Sequence, residues 1–135
     1  MRISILVAAT LIIVSCQKSG TLPEPSALNS GTYRGEKVVY YLSSGHSAID
    51  TITIRFDDPG YHYSGTSELD YGKGNYFVAG DSVWFSDEYA RIAIYTWDWI
   101  LSGRYRFVTA GDSLTFTKKY YDQLTICRLA RLSGQ

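Results

Sequence analysis

The chain has 135 residues with 13 Lys and Arg against 13 Asp and Glu, so it is neutral overall and holds no basic cluster of the kind nucleic-acid binding requires. That length suits a single domain. Twelve Tyr, three Trp and five Phe beside twelve Gly and only three Pro favour a sheet protein and argue against long helices.

The first element is an apolar run from Ile3 to Val14, preceded by Arg2 and broken only by Ser4 and Thr10. It falls short of the roughly 20 apolar residues a membrane-spanning helix needs, and its flanks are those of an export signal over residues 1–15. Ile13-Val14-Ser15-Cys16 closes the run and resembles the bacterial lipobox. The resemblance implies that the signal is removed before Cys16 and that the cysteine carries a diacylglyceryl group and an acylated amine. Several acyl chains make a lasting anchor where one makes a marginal one. Gln17 stands where inner-membrane lipoproteins often carry Asp, so the resemblance implies an outer-membrane address in the cell envelope, with the leaflet left open. Removing residues 1–15 takes away Arg2, leaving 12 basic against 13 acidic residues, a charge of −1. With Cys16 lipidated, Cys127 is the one thiol left, read as a small packed hydrophobe.

Residues 16–30 read as the lipidated cysteine and a flexible tether, with Pro23 and Pro25 among small polar residues and no periodicity. Residues 31–133 read as the folded domain. Strand signals recur there over 32–42, 49–56, 61–67, 74–79, 82–87, 90–101, 103–109, 113–119 and 122–131. Ile52, Ile54 and Phe56 alternate with Thr51, Thr53 and Arg55, the period of two of a half-buried strand. Asp58-Pro59-Gly60-Tyr61 supplies a turn, with Pro at the first central position and Gly accepting a positive φ at the second. Ala79-Gly80-Asp81-Ser82-Val83-Trp84-Phe85-Ser86 returns as Ala110-Gly111-Asp112-Ser113-Leu114-Thr115-Phe116-Thr117. Both copies read as one hairpin with a two-residue Gly-Asp turn. The repeated Asp is read as a turn residue rather than a metal ligand. The expected fold is all-β: an antiparallel up-and-down meander of about eight or nine strands closing into a small barrel, since closure removes exposed edges.

Gly31-Thr32-Tyr33, the meander and a basic residue on the last strand resemble the lipocalin-like domains of bacterial lipoproteins over residues 31–131. In lipocalins a Trp near the first strand is covered by a late Arg at the closed end of the barrel. The resemblance implies Tyr33 and Arg128 as that barrel-closing pair. A solvated strand end is the competing role for Arg128.

Counting back from the turns pairs Val78 with Val83, Tyr76 with Phe85 and Phe77 with Trp84 in one hairpin. In the other it pairs Thr109 with Leu114, Phe107 with Phe116 and Arg106 with Thr117. Phe107, Leu114 and Phe116 belong to the core, because the opposite face carries Arg104, Arg106 and Lys119. If Ser102-Gly103 is another such turn, Ile100 faces Tyr105 and Asp98 faces Phe107. Asp98 then points inward as a candidate interior polar group. Tyr95, Trp97 and Trp99 point outward, with Trp99 across from Arg106. Together with Trp84 they form a candidate contact surface. The alternatives are that these rings are barrel core, or that the tether covers them through Leu28.

No zinc-ligand spacing, nucleophile elbow or phosphate-cradling loop accompanies the two histidines, His46 and His62. Asp57-Asp58 and Asp87-Glu88 read as turn and rim charges. The expectation is a non-catalytic envelope lipoprotein without metal or cofactor. It would be held to the membrane by the lipid on Cys16, with a barrel that takes a small apolar ligand or is packed solid. The alternative is an envelope component that contacts protein or glycan through its outer aromatics.

Overall fold

The computed structural model describes residues 28–67, 70–89 and 100–133. Tyr95, Trp97, Asp98, Trp99 and Cys16 lie outside the described residues. Eight strands follow in chain order: β1 (Gly31–Tyr41), β2 (His46–Asp57), β3 (Gly60–Gly65), β4 (Tyr71–Ala79), β5 (Ser82–Asp87), β6 (Gly103–Ala110), β7 (Ser113–Tyr120) and β8 (Gln123–Arg131). Each pairs antiparallel with the next, and β8 returns to β1, so the sheet closes into an up-and-down barrel. The all-β meander expected from the sequence is the observed fold.

The repeated hairpins form as counted. Ala79 faces Ser82 and Ala110 faces Ser113, so Gly80-Asp81 and Gly111-Asp112 are two-residue turns. Gly80 and Gly111 sit at φ +58° and +59°, where a side chain is penalised and glycine is not. The pairs Val78–Val83, Tyr76–Phe85, Phe77–Trp84, Phe107–Phe116 and Arg106–Thr117 all stand across from one another.

Two expectations are corrected. Gly60 is already in β3, facing Asp57, so the connection is Asp58-Pro59 alone and Gly60 keeps a negative φ. More consequentially, β5 pairs directly with β6, so the segment 90–101 does not lie between them in the wall. Val83 faces Tyr105 and Trp84 faces Arg104 directly. Ile100 therefore does not pair with Tyr105, and Arg106 stands between Ser82 and Thr117 rather than across from Trp99. Gly103 does adopt a positive φ of +78°, but as the entry from a connection into β6, not as a hairpin turn. A glycine turn signal reports the local bend and not which strand lies beyond it.

Alternation fills the barrel with aromatics. Ile52, Ile54, Phe56, Tyr61, Val83, Phe85, Phe107, Leu114 and Phe116 are all buried in one cluster. Phe56 meets Tyr76 edge-on at 5.1 Å between ring centres, and Phe85 meets Tyr61 at 5.0 Å and Phe116 at 5.5 Å. Edge-to-face contact of this kind sets the positive rim of one ring against the negative face of the next. Side chains occupy the interior that an open lipocalin would keep for ligand. Cys127 belongs to the same cluster, and burial pushes its thiol up to about 12.

The barrel has two unlike ends. The lower end gathers the start of β1, the turns at 58–59, 80–81 and 111–112, and the end of β8. Leu28 packs against the core there, and the Tyr33 hydroxyl donates to the Asn29 carbonyl at 3.2 Å. The upper end gathers the connections at 42–45, 66–70 and 121–122 and the arrival of the chain at residues 100–102.

Candidate functional site

At the upper end the chain enters β6 across the barrel opening, and two tyrosines of β3 catch it. The Tyr61 hydroxyl donates to the Leu101 carbonyl at 3.0 Å, and the Leu101 amide donates to the Tyr63 hydroxyl at 2.9 Å. Leu101 is thereby buried in the core cluster as a stopper, with Ile100 buried beside it. Neither hydroxyl would be tolerated in the interior without partners, and a backbone strand of the connection supplies them.

Beside this stopper a cavity of about 430 Å3 opens to solvent. Its walls include Ile100, Ser102, Tyr105, Lys118, Tyr120 and Thr125. Lys118 donates to the Ser102 carbonyl at 2.6 Å and lies 5.2 Å from the Tyr105 ring centre and 5.8 Å from that of Tyr120. A cation held against two aromatic faces is attracted by their quadrupoles. Tyr105 is fully enclosed, and its burial raises its hydroxyl well above the ordinary range, so it stays protonated. Among the described residues, the mouth thus offers the Tyr120 ring, the Lys118 ammonium and the hydroxyls of Ser102 and Thr125.

Deeper along the same inward rows lies a polar cluster that the sequence reading missed. Lys37 faces Asp50 on β2 and Cys127 on β8, all on the inner side of the wall. The Lys37 ammonium contacts both carboxylate oxygens of Asp70, at 2.9 and 3.0 Å, with 1% and 0% of the two side chains exposed. Asp50 in turn accepts from the Thr66 amide at 3.0 Å, the Ser67 amide at 3.2 Å and the Thr66 hydroxyl. Burial works against its charge, but these donors together outweigh that and hold its carboxyl below the ordinary value. For Asp70 burial dominates: although Lys37 opposes the shift, the carboxyl is pushed up to about 6, helped by the neighbouring Asp50. The signal that reveals the cluster is parity. Tyr33, Gly35, Lys37 and Val39 alternate on one side of β1, so an inward Lys follows from an inward Tyr.

The outer wall carries a second feature. Phe77 and Trp84 stack nearly parallel, 4.8 Å apart at 5°, and the Arg104 guanidinium lies over Trp84 at 5.2 Å. Phe77 is 59% exposed. Trp84 and Arg106 both face outward, as expected, but Arg104 is the residue that covers Trp84. Arg106 turns to Asp81 at 3.0 Å.

The expected closing pair does not form. Tyr33 is inside, and the residue across from it is Arg131. Arg128 is exposed on the outer face between Glu36 and Thr115, three positions from Arg131 and therefore of opposite parity. Arg131 instead donates to the Ser30 carbonyl at 2.9 Å, fastening the entry of β1. Among the described residues, no group of three or more His, Cys, Asp or Glu side chains is placed to hold a metal ion.

These features define a small closed eight-stranded antiparallel barrel with an aromatic interior and, at its upper end, a mouth lined by Lys118. No protein-family model, curated protein or solved structure matches the chain.

Proposed function

We propose that this protein is a non-catalytic binding barrel of the bacterial cell envelope, held to the outer membrane by lipid on Cys16. In this reading it takes a small amphipathic ligand at its upper mouth. The observation that carries the reading is the 430 Å3 cavity beside Lys118, above an interior otherwise filled by side chains. Its size falls within the range of small-molecule sites. A ligand with a flat apolar body would lie against the exposed Tyr120 ring, with Ile100 and Tyr105 buried behind it. An acidic group on it would meet the Lys118 ammonium. The apolar ligand expected from the sequence is thus moved from the barrel centre to its rim and given a charged end.

The test is titration of the protein with the anionic fluorophore anilinonaphthalene sulfonate. Saturation at one site is expected, with affinity weakened by about tenfold in Lys118→Met, as loss of a charge-assisted contact implies. Unsaturable binding, or saturation indifferent to Lys118, would overturn the mouth as the site.

The stacked Phe77–Trp84 pair under Arg104 favours a second reading, contact with an envelope glycan or protein through the outer wall. There Trp84→Ala would abolish glycan retention and leave fluorophore binding at the mouth unchanged.

A further inference from the structure

Lysine and aspartate are almost never wholly enclosed, and an enclosed ion pair loses the hydration of both charges. Lys37 and Asp70 are nonetheless both enclosed and in direct contact, at 2.9 and 3.0 Å. Amide formation needs the neutral pair, in which the ammonium proton has passed to the carboxylate and both charges have left the interior. What results is an amine against a carboxylic acid, the two reactants of amide formation, held at contact distance by the folded wall. Proximity of this kind replaces a bimolecular encounter. A third group completes the set. Asp50 lies beside Asp70 next to Gly65, is fixed by the amides of Thr66 and Ser67, and is held toward its ionised form. Gly65 permits the approach, since a Cβ there would run into the Asp50 carboxylate and the Asp70 side chain. The Tyr63 ring, 6.0 Å from the Lys37 nitrogen, closes one side of the cluster.

We propose that Lys37 and Asp70 become joined by an isopeptide bond within the folded barrel, with Asp50 as the proton relay. The Lys37 Nζ lone pair attacks Asp70 Cγ and a C–N bond forms. Asp50 takes a proton from the nitrogen and returns it to the departing hydroxyl, so that the C–O bond breaks and one water leaves. Nothing is oxidised or reduced, and no co-reactant is needed. A positioned acid–base group within hydrogen-bond reach is what such a transfer requires. The bond would link β1 to the connection ahead of β4, across 33 residues of chain, independently of whatever the mouth binds.

Peptide mapping of the full chain, purified in detergent after folding, tests this. The expected product is a branched peptide joining Lys37 to Asp70, lighter than the sum of its two arms by one water. Asp50→Asn should yield a barrel with the same circular dichroism but the two peptides recovered separately. Water can also be lost by succinimide closure at an aspartate, but that loss would persist in Lys37→Arg, whereas the branched product would vanish. Recovery of separate, full-mass Lys37 and Asp70 peptides from the folded wild-type chain would overturn the proposal. So would a water loss that survives Lys37→Arg. Should either variant fail to fold, the wild-type map alone decides.

Discussion

At the scale of single residues, the wall sorts side chains by parity more sharply than by type. Phe116 and Val108 are both apolar and both lie on neighbouring strands of one hairpin. Phe116 is wholly buried against Phe56, Phe85 and Tyr105, while Val108 is 66% exposed. Phe116→Ala should therefore cost about 3–5 kcal/mol through the cavity it opens. Val108→Ala should cost within about 1 kcal/mol, chiefly a small loss of strand preference. Urea unfolding of the two variants measures the difference, and near-equal midpoints would show that the interior assignment is wrong. The same parity explains what was legible in the sequence. Gly80-Asp81 and Gly111-Asp112 are tight enough that counting outward from them places every partner correctly. Lys37 went unnoticed because a Glu-Lys pair looks like a solvated face, although Tyr33 four residues earlier already fixes its side. Asp50 on β2 and Asp70 ahead of β4 meet through the pairing of β2 with β3 and the connection that follows, so no local pattern announces them.

At the scale of elements, the least legible segment is the connection between β5 and β6. Its alternating isoleucines and aromatics read as a wall strand, and Ser102-Gly103 reads as a hairpin turn. What keeps that segment out of the wall between β5 and β6 is not local. β5 already has β6 as its neighbour, so the wall has no vacancy at that point. The described end of the connection is secured by β3 instead, through Tyr61 and Tyr63. Tyr63→Phe removes the acceptor for the Leu101 amide while keeping the ring. Loss of one buried hydrogen bond should destabilise the barrel by about 1–3 kcal/mol. It should also speed hydrogen exchange at Leu101 more than at the β2 amides. Uniform acceleration across both would mean that the connection and the wall open together. On the outer wall, Trp84 and Arg106 face outward as the sequence predicts. The central rings of the expected contact surface, Tyr95, Trp97 and Trp99, lie outside the described residues.

At the scale of the molecule, closure leaves the described strands no free edge and adds the most distant pairing in the wall, β1 with β8, which favours slow folding, on the order of milliseconds to seconds. Polarity along the barrel axis is the other whole-molecule property. β1 begins at the lower end and the mouth opens at the upper end, so the first described residues and the mouth lie at opposite ends of the barrel. The anchor itself is a proposal with a direct measurement. Cys16→Ser should move the protein out of the detergent phase on phase partitioning. A variant that still partitions with membranes as the parent does would refute lipidation.

The lower end holds one more consequence. Tyr33 lies beside Arg131, and the Leu132 amide donates to the Thr32 carbonyl at 2.8 Å, so the first and last strands meet like ends of a ring. Tyr121, in the turn diametrically opposite along β8, is the one described non-glycine residue with positive φ, at +47°. The order in which the eight strands are translated is therefore incidental to the shape they make. A short bridge between the adjoining ends and a break at Tyr121–Asp122 rewrites the chain as a circular permutant. Every neighbour in the wall is kept, and the strained residue is freed at a terminus.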